Sequence, residues 1–141
     1  MRILVLGLLV LVVGCATTTA PEQRVLPGFV LVAHRGVVTE ELQENSLASL
    51  EETIRRGYTH IEVDVRATKD GHPVCLHDAN LRRTCGIDAN IESLTLEEVR
   101  ELAAEDILPS FETFCQRCEG RIGIMPDMKG CPEEVFDAFM Q

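Results

Sequence analysis

The sequence predicts an α/β fold with a largely parallel sheet, arranged as part of a barrel. Two observations predict it. Short apolar, β-rich runs alternate with segments of helical periodicity, the order expected of strand-helix-strand units. The runs also end on or near residues capable of chemistry, His34-Arg35-Gly36, His77-Asp78 and Asp127-Met128-Lys129, as at the C-terminal rim of a parallel sheet. No internal repeat or low-complexity segment competes with that order. A chain of 141 residues, 45% hydrophobic and 26% charged, suits one globular core.

The first segment is not part of that core. Arg2 precedes an unbroken apolar run, Ile3 to Val13, followed by Gly14-Cys15. The run is shorter than the roughly 20 residues a membrane-spanning helix needs, so residues 1–14 are expected to be an export signal. Val12-Val13-Gly14-Cys15 looks like a bacterial lipobox, in which cleavage precedes a cysteine that then carries lipid. Cys15 is therefore the expected lipidation site, and residues 15–24 a polar tether to a domain spanning 25–141. This implies an exported chain anchored to a bacterial membrane, on the periplasmic side or at the cell surface.

The elements of the domain follow in order. Phe29 to Ala33 reads as a buried strand ending on His34. Asn45 or Ser46 caps a helix to Arg56, with Leu47, Leu50 and Ile54 on one face and Gly57 as its stop. His60 to Val65 alternates, placing Ile61, Val63 and Val65 on one side and Glu62 and Asp64 on the other. Asp70-Gly71 turns the chain into a short run, Pro73 to Leu76, with no room for a helical crossover. Leu81 to Ser93 is polar and irregular. Thr95-Leu96-Glu97-Glu98 is a capping box opening a helix with Leu96, Val99 and Leu102 inward. Leu108-Pro109-Ser110 starts a helix through about Cys118, Arg121 to Met128 is a strand, and Pro132-Glu133-Glu134 opens a last helix.

Charge narrows the partners. Thirteen basic residues less Arg2 leave twelve against 23 acidic ones, a formal charge of −11. Such a surface excludes nucleic acid as a partner. It also repels an anionic substrate unless a bound cation reverses the local field, which directs attention to the carboxylates. Five cysteines remain after Cys15, and Cys115-Gln116-Arg117-Cys118 has the spacing of a redox or zinc motif. It sits in an apolar helical pattern with no second such pair, so core thiols or a local disulfide are expected instead.

The remaining polar residues match the needs of phosphodiester cleavage: a base, an acid, and positive charge on the phosphoryl oxygens. His34 and His77 both follow apolar runs and, in a parallel arrangement, meet at one rim as an acid/base pair. Glu62 and Asp64 offer hard oxygen ligands from one strand face, with Asp127 as a third, suited to Ca²⁺ or Mg²⁺. Arg35 and Lys129 are placed to bind the phosphate oxygens.

The ordered set Ala33-His34-Arg35-Gly36, Glu44-Asn45-Ser46 and the run Ile61 to Asp78 (IEVDVRATKDGHPVCLHD) resembles the glycerophosphodiester phosphodiesterase family. The likeness is specific from Val30 through Arg83 and continues through Ile107 to Phe111 and Asp127 to Lys129. It implies a distorted TIM barrel that hydrolyses glycerophosphodiesters to glycerol 3-phosphate and an alcohol with a divalent metal. It implies His34 and His77 as the catalytic histidines, Arg35 as a phosphate contact, and Glu62 and Asp64 as metal ligands, with attack by a glycerol hydroxyl through a cyclic phosphate. His34 is then the base and His77 the acid. The chain departs from the family pattern with Asp127 for the glutamate of an E-x-K strand, Gln43 for a proline and Ser46 for a threonine. Such a barrel takes roughly 250 residues, so the chain is expected to hold its first half. The alternative is a truncated, inactive lipoprotein that keeps the motifs or only binds ligand.

Overall fold

The structure, a computed structural model, describes residues 28–139. The expected export signal, Cys15 and the tether lie outside the described residues. Among the described residues no helix is long and apolar enough to cross a membrane.

Strands and helices alternate as expected. In chain order they are β1 (Val32–His34), α1 (Leu47–Arg55), β2 (His60–Ala67), β3 (Pro73–Cys75), α2 (Arg82–Cys85), α3 (Leu96–Leu102), α4 (Phe111–Cys118), β4 (Gly123–Met128) and α5 (Glu133–Phe139). The caps follow the chemistry of their side chains. Ser46 Oγ accepts from Ser49 N–H at the start of α1, Thr95 and Glu98 form a reciprocal capping box on α3, and Ser110 Oγ accepts from Thr113 N–H on α4.

Strand β2 is the centre of the sheet. It pairs in parallel with β1 over His60 to Glu62, and in parallel with β4 from His60↔Gly123 to Val65↔Met128. Strand β3 pairs with the far end of β2, Val65↔Cys75 to Ala67↔Pro73, and runs antiparallel. Because β4 already occupies one edge of β2 at Val65, β1 and β3 share the other edge.

Alternation along β2 sends Ile61, Val63 and Val65, all fully buried, against Leu47 and Leu50 of α1 and Phe111, Phe114 and Cys118 of α4. Each such aliphatic or aromatic side chain contributes about 1.5–3 kcal/mol on burial. A second cluster, Val74, Leu76, Leu81, Ile91, Val99 and Leu108, lies under the segment after β3. Two cores therefore hold β2 and β3 in place, and the opposite face of β2 is left to carry polar groups.

Four sequence expectations need correction. The run from Phe29 is not a buried strand: only Val32–His34 pairs, and Phe29, Val30, Leu31 and Val32 are between 40% and 64% exposed. Among the described residues β1 has a neighbour on one edge alone, and no element covers its outer side. The segment Leu81 to Ser93 is not merely polar loop. It contains α2 and a 3₁₀ turn at Ile91–Ser93, with Leu81 and Ile91 fully buried. Leu102 does not point inward; it is exposed at the end of α3, whose inward anchor is Val99. β3 is antiparallel, so the parallel arrangement assumed for bringing His77 to the rim does not hold.

Gly36 marks the close approach of the turn after β1 to α1. Its φ is +79°, and a Cβ there would stand 2.5 Å from Ser49 Oγ. Gly36→Ala is expected to destabilise the chain by about 1–3 kcal/mol through left-handed strain alone, read as a lower midpoint in urea unfolding.

Candidate functional site

The polar face of the sheet gathers the site through register. Glu62 and Asp64 project from the same face of β2, Asp127 stands beside Asp64 in the parallel pairing with β4, and His34 stands beside Glu62 in the pairing with β1. As a result Glu62, Asp64 and Asp127 each offer a carboxylate oxygen within 4.8 Å of the others. Asp64 is 1% exposed, Glu62 is half-buried and Asp127 is open to solvent.

Three carboxylates so close repel one another unless positive charge is supplied. Arg35 and Lys129 supply it. Arg35 Nε lies 3.1 Å from Asp64 Oδ2, its Nη1 lies 3.3 Å from Glu44 Oε2, and its backbone N–H donates to Glu62 Oε2 at 2.9 Å. Lys129 Nζ is 2.7 Å from Asp127 Oδ2 and 3.8 Å from Asp64 Oδ1. The two cations assigned to phosphate thus pair with carboxylates here. Lys129, followed by His77 and Arg35, holds the Asp127 carboxyl below the usual range.

Asp64 is also clamped by Asn45. Asn45 Nδ2 donates to Asp64 Oδ2 at 3.0 Å, and Asp64 N–H donates to Asn45 Oδ1 at 3.1 Å. Yet buried Asp64 Oδ1 accepts no hydrogen bond, and Arg35 Nε, though close, is not aligned to donate one. A buried carboxylate oxygen without a donor carries a penalty of about 1–3 kcal/mol. An oxygen in that state beside two other carboxylates fits a hard divalent cation.

The backbone on which this geometry rests is itself unusual. Arg35 and Asn45 are the only non-glycine residues with positive φ among those described, at 58° and 57°, and Asn45 N–H donates to Arg35 O at 3.0 Å. Asn tolerates the left-handed region, whereas arginine there is strained. Both positive-φ residues reach Asp64.

The histidines are placed differently. His34 Nε2 is 3.9 Å from Glu62 Oε2, and its side chain is 74% exposed. His77 is half-buried, with Nδ1 2.6 Å from Asp78 Oδ1. It reaches this side of the sheet because the chain leaves β3 against β2, Leu76 N–H donating to Asp64 O at 3.0 Å. Antiparallel pairing therefore brings His77 near enough to Asp127 to act on its carboxyl, by a different route from the one the sequence suggested.

Sequence reasoning missed four participants: Glu44, the side chain of Asn45, Asp78 and Arg83. Arg83 donates to both Asp78 and Glu44 at 2.6 Å. The available signal was redundancy, since α1 needs one cap and Ser46 supplies it, leaving Asn45 free for another task. Hydrogen bonds from Arg83 hold the Glu44 carboxyl below its ordinary 4.5, and Arg83 followed by His77 holds Asp78 far below its ordinary 3.8. Depressed folded-state values stabilise the fold above the unfolded values, and that stabilisation is lost as pH falls through the folded ones. The melting temperature is accordingly expected to fall below pH 4.5, and Glu44→Gln to flatten that acid limb in a thermal-melt series.

The cysteines do not build a reactive site. All five described thiols are free, and burial pushes Cys115 to about 11 and Cys118 to about 12. Both pack into the first core, which fits the expectation of core thiols rather than of a disulfide.

Fold and cluster together define an α/β, barrel-type domain with a candidate hard-cation centre on the polar face of its sheet. The sequence profile of the glycerophosphoryl diester phosphodiesterase family matches residues 34–136. A lysophospholipase D of Homo sapiens is 38% identical over 109 residues, 77% of this chain and 32% of that protein. The crystal structure of a glycerophosphodiester phosphodiesterase from Agrobacterium tumefaciens superposes with a TM-score of 0.71 at 26% identity, covering 77% of this chain and 51% of that one. A phosphodiesterase of Oleispira antarctica, solved with the product sn-glycerol-3-phosphate, superposes at 0.60 with 31% identity, covering 72% of this chain and 45% of that one. This chain belongs to the glycerophosphoryl diester phosphodiesterase family. It spans about a third of the curated relative and about half of the solved barrels.

Proposed function

We propose that the chain carries the metal- and histidine-bearing half of a glycerophosphodiester phosphodiesterase site and acts on a small glycerophosphodiester, giving glycerol 3-phosphate and an alcohol. The observation that carries the reading is the cluster of Glu62, Asp64 and Asp127 around a buried oxygen of Asp64 that has no donor. Those three residues would hold Ca²⁺ or Mg²⁺, which when bound offsets charge on the phosphoryl oxygens.

The chain's own residues supply the rest. Arg35 and Lys129 exchange part of their pairing with Asp64 and Asp127 for the substrate phosphate, Arg as a fork and Lys as a point charge. His34, exposed at the end of β1, takes the proton of the attacking glycerol hydroxyl. The leaving alkoxide receives its proton from His77, and the cyclic phosphate so formed is hydrolysed afterwards. The Asp78 carboxylate on Nδ1 orients the ring so that Nε2 can face the leaving oxygen. The test is release of glycerol 3-phosphate from glycerophosphocholine: release with Ca²⁺ or Mg²⁺ and none with a chelator supports the reading, and no release with either metal sinks it.

A second reading is that the chain binds cation and phosphate without turnover. The exposed apolar side chains at Phe29 to Leu31 before β1, at Val32 on β1 and at Met125 on β4 favour it. Calorimetric binding of Ca²⁺ and glycerol 3-phosphate in the absence of product release would separate the two. We also propose, from the sequence alone, that residues 1–14 are removed on export, that lipid on Cys15 with residues 15–24 as tether anchors the domain to a bacterial membrane, and that the domain starts near Val25. Cys15→Ser is expected to move the expressed chain from the membrane fraction to the soluble one. Retention in the membrane fraction would count against the anchor.

A further inference from the structure

A chain of charged contacts joins His77 to Arg35 around the outside of the carboxylate cluster, and the reaction outlined above does not use its middle member. Arg83 Nε donates to Asp78 Oδ2 and Arg83 Nη2 donates to Glu44 Oε1, both at 2.6 Å. The other oxygen of each carboxylate faces a site residue. Asp78 Oδ1 is 2.6 Å from His77 Nδ1, and Glu44 Oε2 is 3.3 Å from Arg35 Nη1. Glu44 precedes α1 and Arg83 lies on α2, 39 residues further on, so the link is tertiary rather than local.

The backbone under Arg83 is fixed independently of its guanidinium. Leu81 is fully buried, Cys85 N–H donates to Leu81 O at 2.7 Å, Arg82 N–H donates to Asn80 Oδ1 at 2.9 Å, and Cys85 and Ile87 pack on the second core. What α2 presents to the site is therefore a rigid planar fork whose separate N–H groups engage two carboxylates at once. A lysine ammonium offers no such fixed fork.

We propose that Arg83 is a positioning residue that couples the two halves of the site, one guanidinium holding Asp78 against His77 and Glu44 against Arg35. The coupling rests on the phosphodiesterase reading for its catalytic meaning, but not for its existence. A carboxylate held on Nδ1 keeps neutral His77 as the Nδ1–H tautomer and leaves Nε2 for substrate. Without Arg83, the Asp78 carboxylate is free to turn away from Nδ1. Glu44 then keeps only Arg35 and draws it from Asp64.

The experiment is nitrogen NMR of the His77 ring in the full chain at about pH 8, where the two tautomers give distinct signals. The wild type is expected to show Nδ1–H, and Arg83→Met a shift toward Nε2–H. Glu44 bonds to Arg83 and Arg35 and not to His77. Glu44→Gln should therefore perturb the His77 ring when Arg83 is present and leave it unmoved in the Arg83→Met background. Arg83→Lys keeps the charge but loses the fork, so it should also lose the response to Glu44→Gln.

An unchanged tautomer in folded Arg83→Met overturns the proposal, as does a Glu44→Gln response that persists without Arg83. Should Arg83→Met fail to fold, the lysine variant decides: a retained response to Glu44→Gln overturns the coupling. In an active chain, Arg83→Met should lower kcat about tenfold, less than the roughly 10²–10⁴-fold that an acid/base group itself supplies, and unaltered kcat would also count against it. Absence of glycerol 3-phosphate release by the wild type speaks against the phosphodiesterase reading and leaves the NMR result to decide the coupling.

Discussion

Asp64→Asn is expected to weaken Ca²⁺ or Mg²⁺ binding by about a hundredfold or more, beyond the 10–100-fold typical of removing a supporting residue around a metal site. It should also lower the stability of the cation-free chain by about 3 kcal/mol, at the lower end for breaking a buried ion pair. Both effects follow from where Asp64 sits. It is 1% exposed, with Arg35 Nε at 3.1 Å, Asn45 Nδ2 at 3.0 Å and Lys129 Nζ at 3.8 Å. An amide in its place presents a donor to neighbours that are themselves donors, and leaves Arg35 with Glu44 as its other carboxylate side-chain partner among the described residues. Asp127→Asn is the control. Asp127 is exposed at the edge of the sheet and paired with one lysine. Its loss should weaken cation binding with little change in urea unfolding, because exposed pairs contribute about 0–1 kcal/mol. Calorimetric Ca²⁺ titration beside urea denaturation checks both, and unchanged affinity in Asp64→Asn would remove the cluster from consideration as a cation site.

The contrast between these two carboxylates shows what could be read from the sequence. Period-two alternation from His60 to Val65 sorts Glu62 and Asp64 onto one face without knowledge of the fold, because side-chain direction in a strand depends on parity alone. The same rule identifies Ile61, Val63 and Val65 as core. Capping chemistry is equally local, so Ser46, Thr95 and Ser110 were legible as helix starts. Register is not local. That β4 places Asp127 beside Asp64 depends on strand pairing across more than 60 residues, and sequence reasoning reached it only as a candidate third ligand.

What failed did so where tertiary context decides. Val30, Leu31 and Val32 have the composition of a buried strand, but burial requires a neighbour on both sides, and among the described residues β1 has one. Leu81 and Ile91 are too widely spaced for any period to reveal them, yet they anchor the segment that carries Arg83 into the second core. Asn45 and Ser46 were interchangeable as caps. The structure separates them through φ, since the left-handed turn at Asn45 aims its amide at Asp64 while Ser46 in extended geometry caps α1. The departure from the family pattern at Asp127 has a structural counterpart as well. The shorter side chain still brings its oxygen within 4.8 Å of the Glu62 and Asp64 carboxylate oxygens, from the strand that leaves Asp127 open to solvent.

His77→Ala is expected to reduce turnover of glycerophosphocholine by about a thousandfold, within the 10²–10⁴ range for a general acid, while changing Ca²⁺ affinity far less. His77 is bonded to Asp78 and offers no ligand atom to the carboxylate cluster, acting on it through charge near Asp127 and not through contact, so its removal should change a cation titration far less than it changes turnover. The same substitution separates the roles of the two histidines. An acid matters in proportion to how poorly the departing oxygen holds negative charge. Choline leaves as a strongly basic alkoxide and needs a proton, whereas a nitrophenol leaves as a stabilised anion and does not. The deficit of His77→Ala should therefore shrink on a nitrophenyl ester of glycerol phosphate. The deficit of His34→Ala should persist on both substrates, because the attacking hydroxyl is the same in each. Equal deficits for His77→Ala on the two substrates would move the acid to another residue, and the reverse pattern would exchange the roles of His34 and His77.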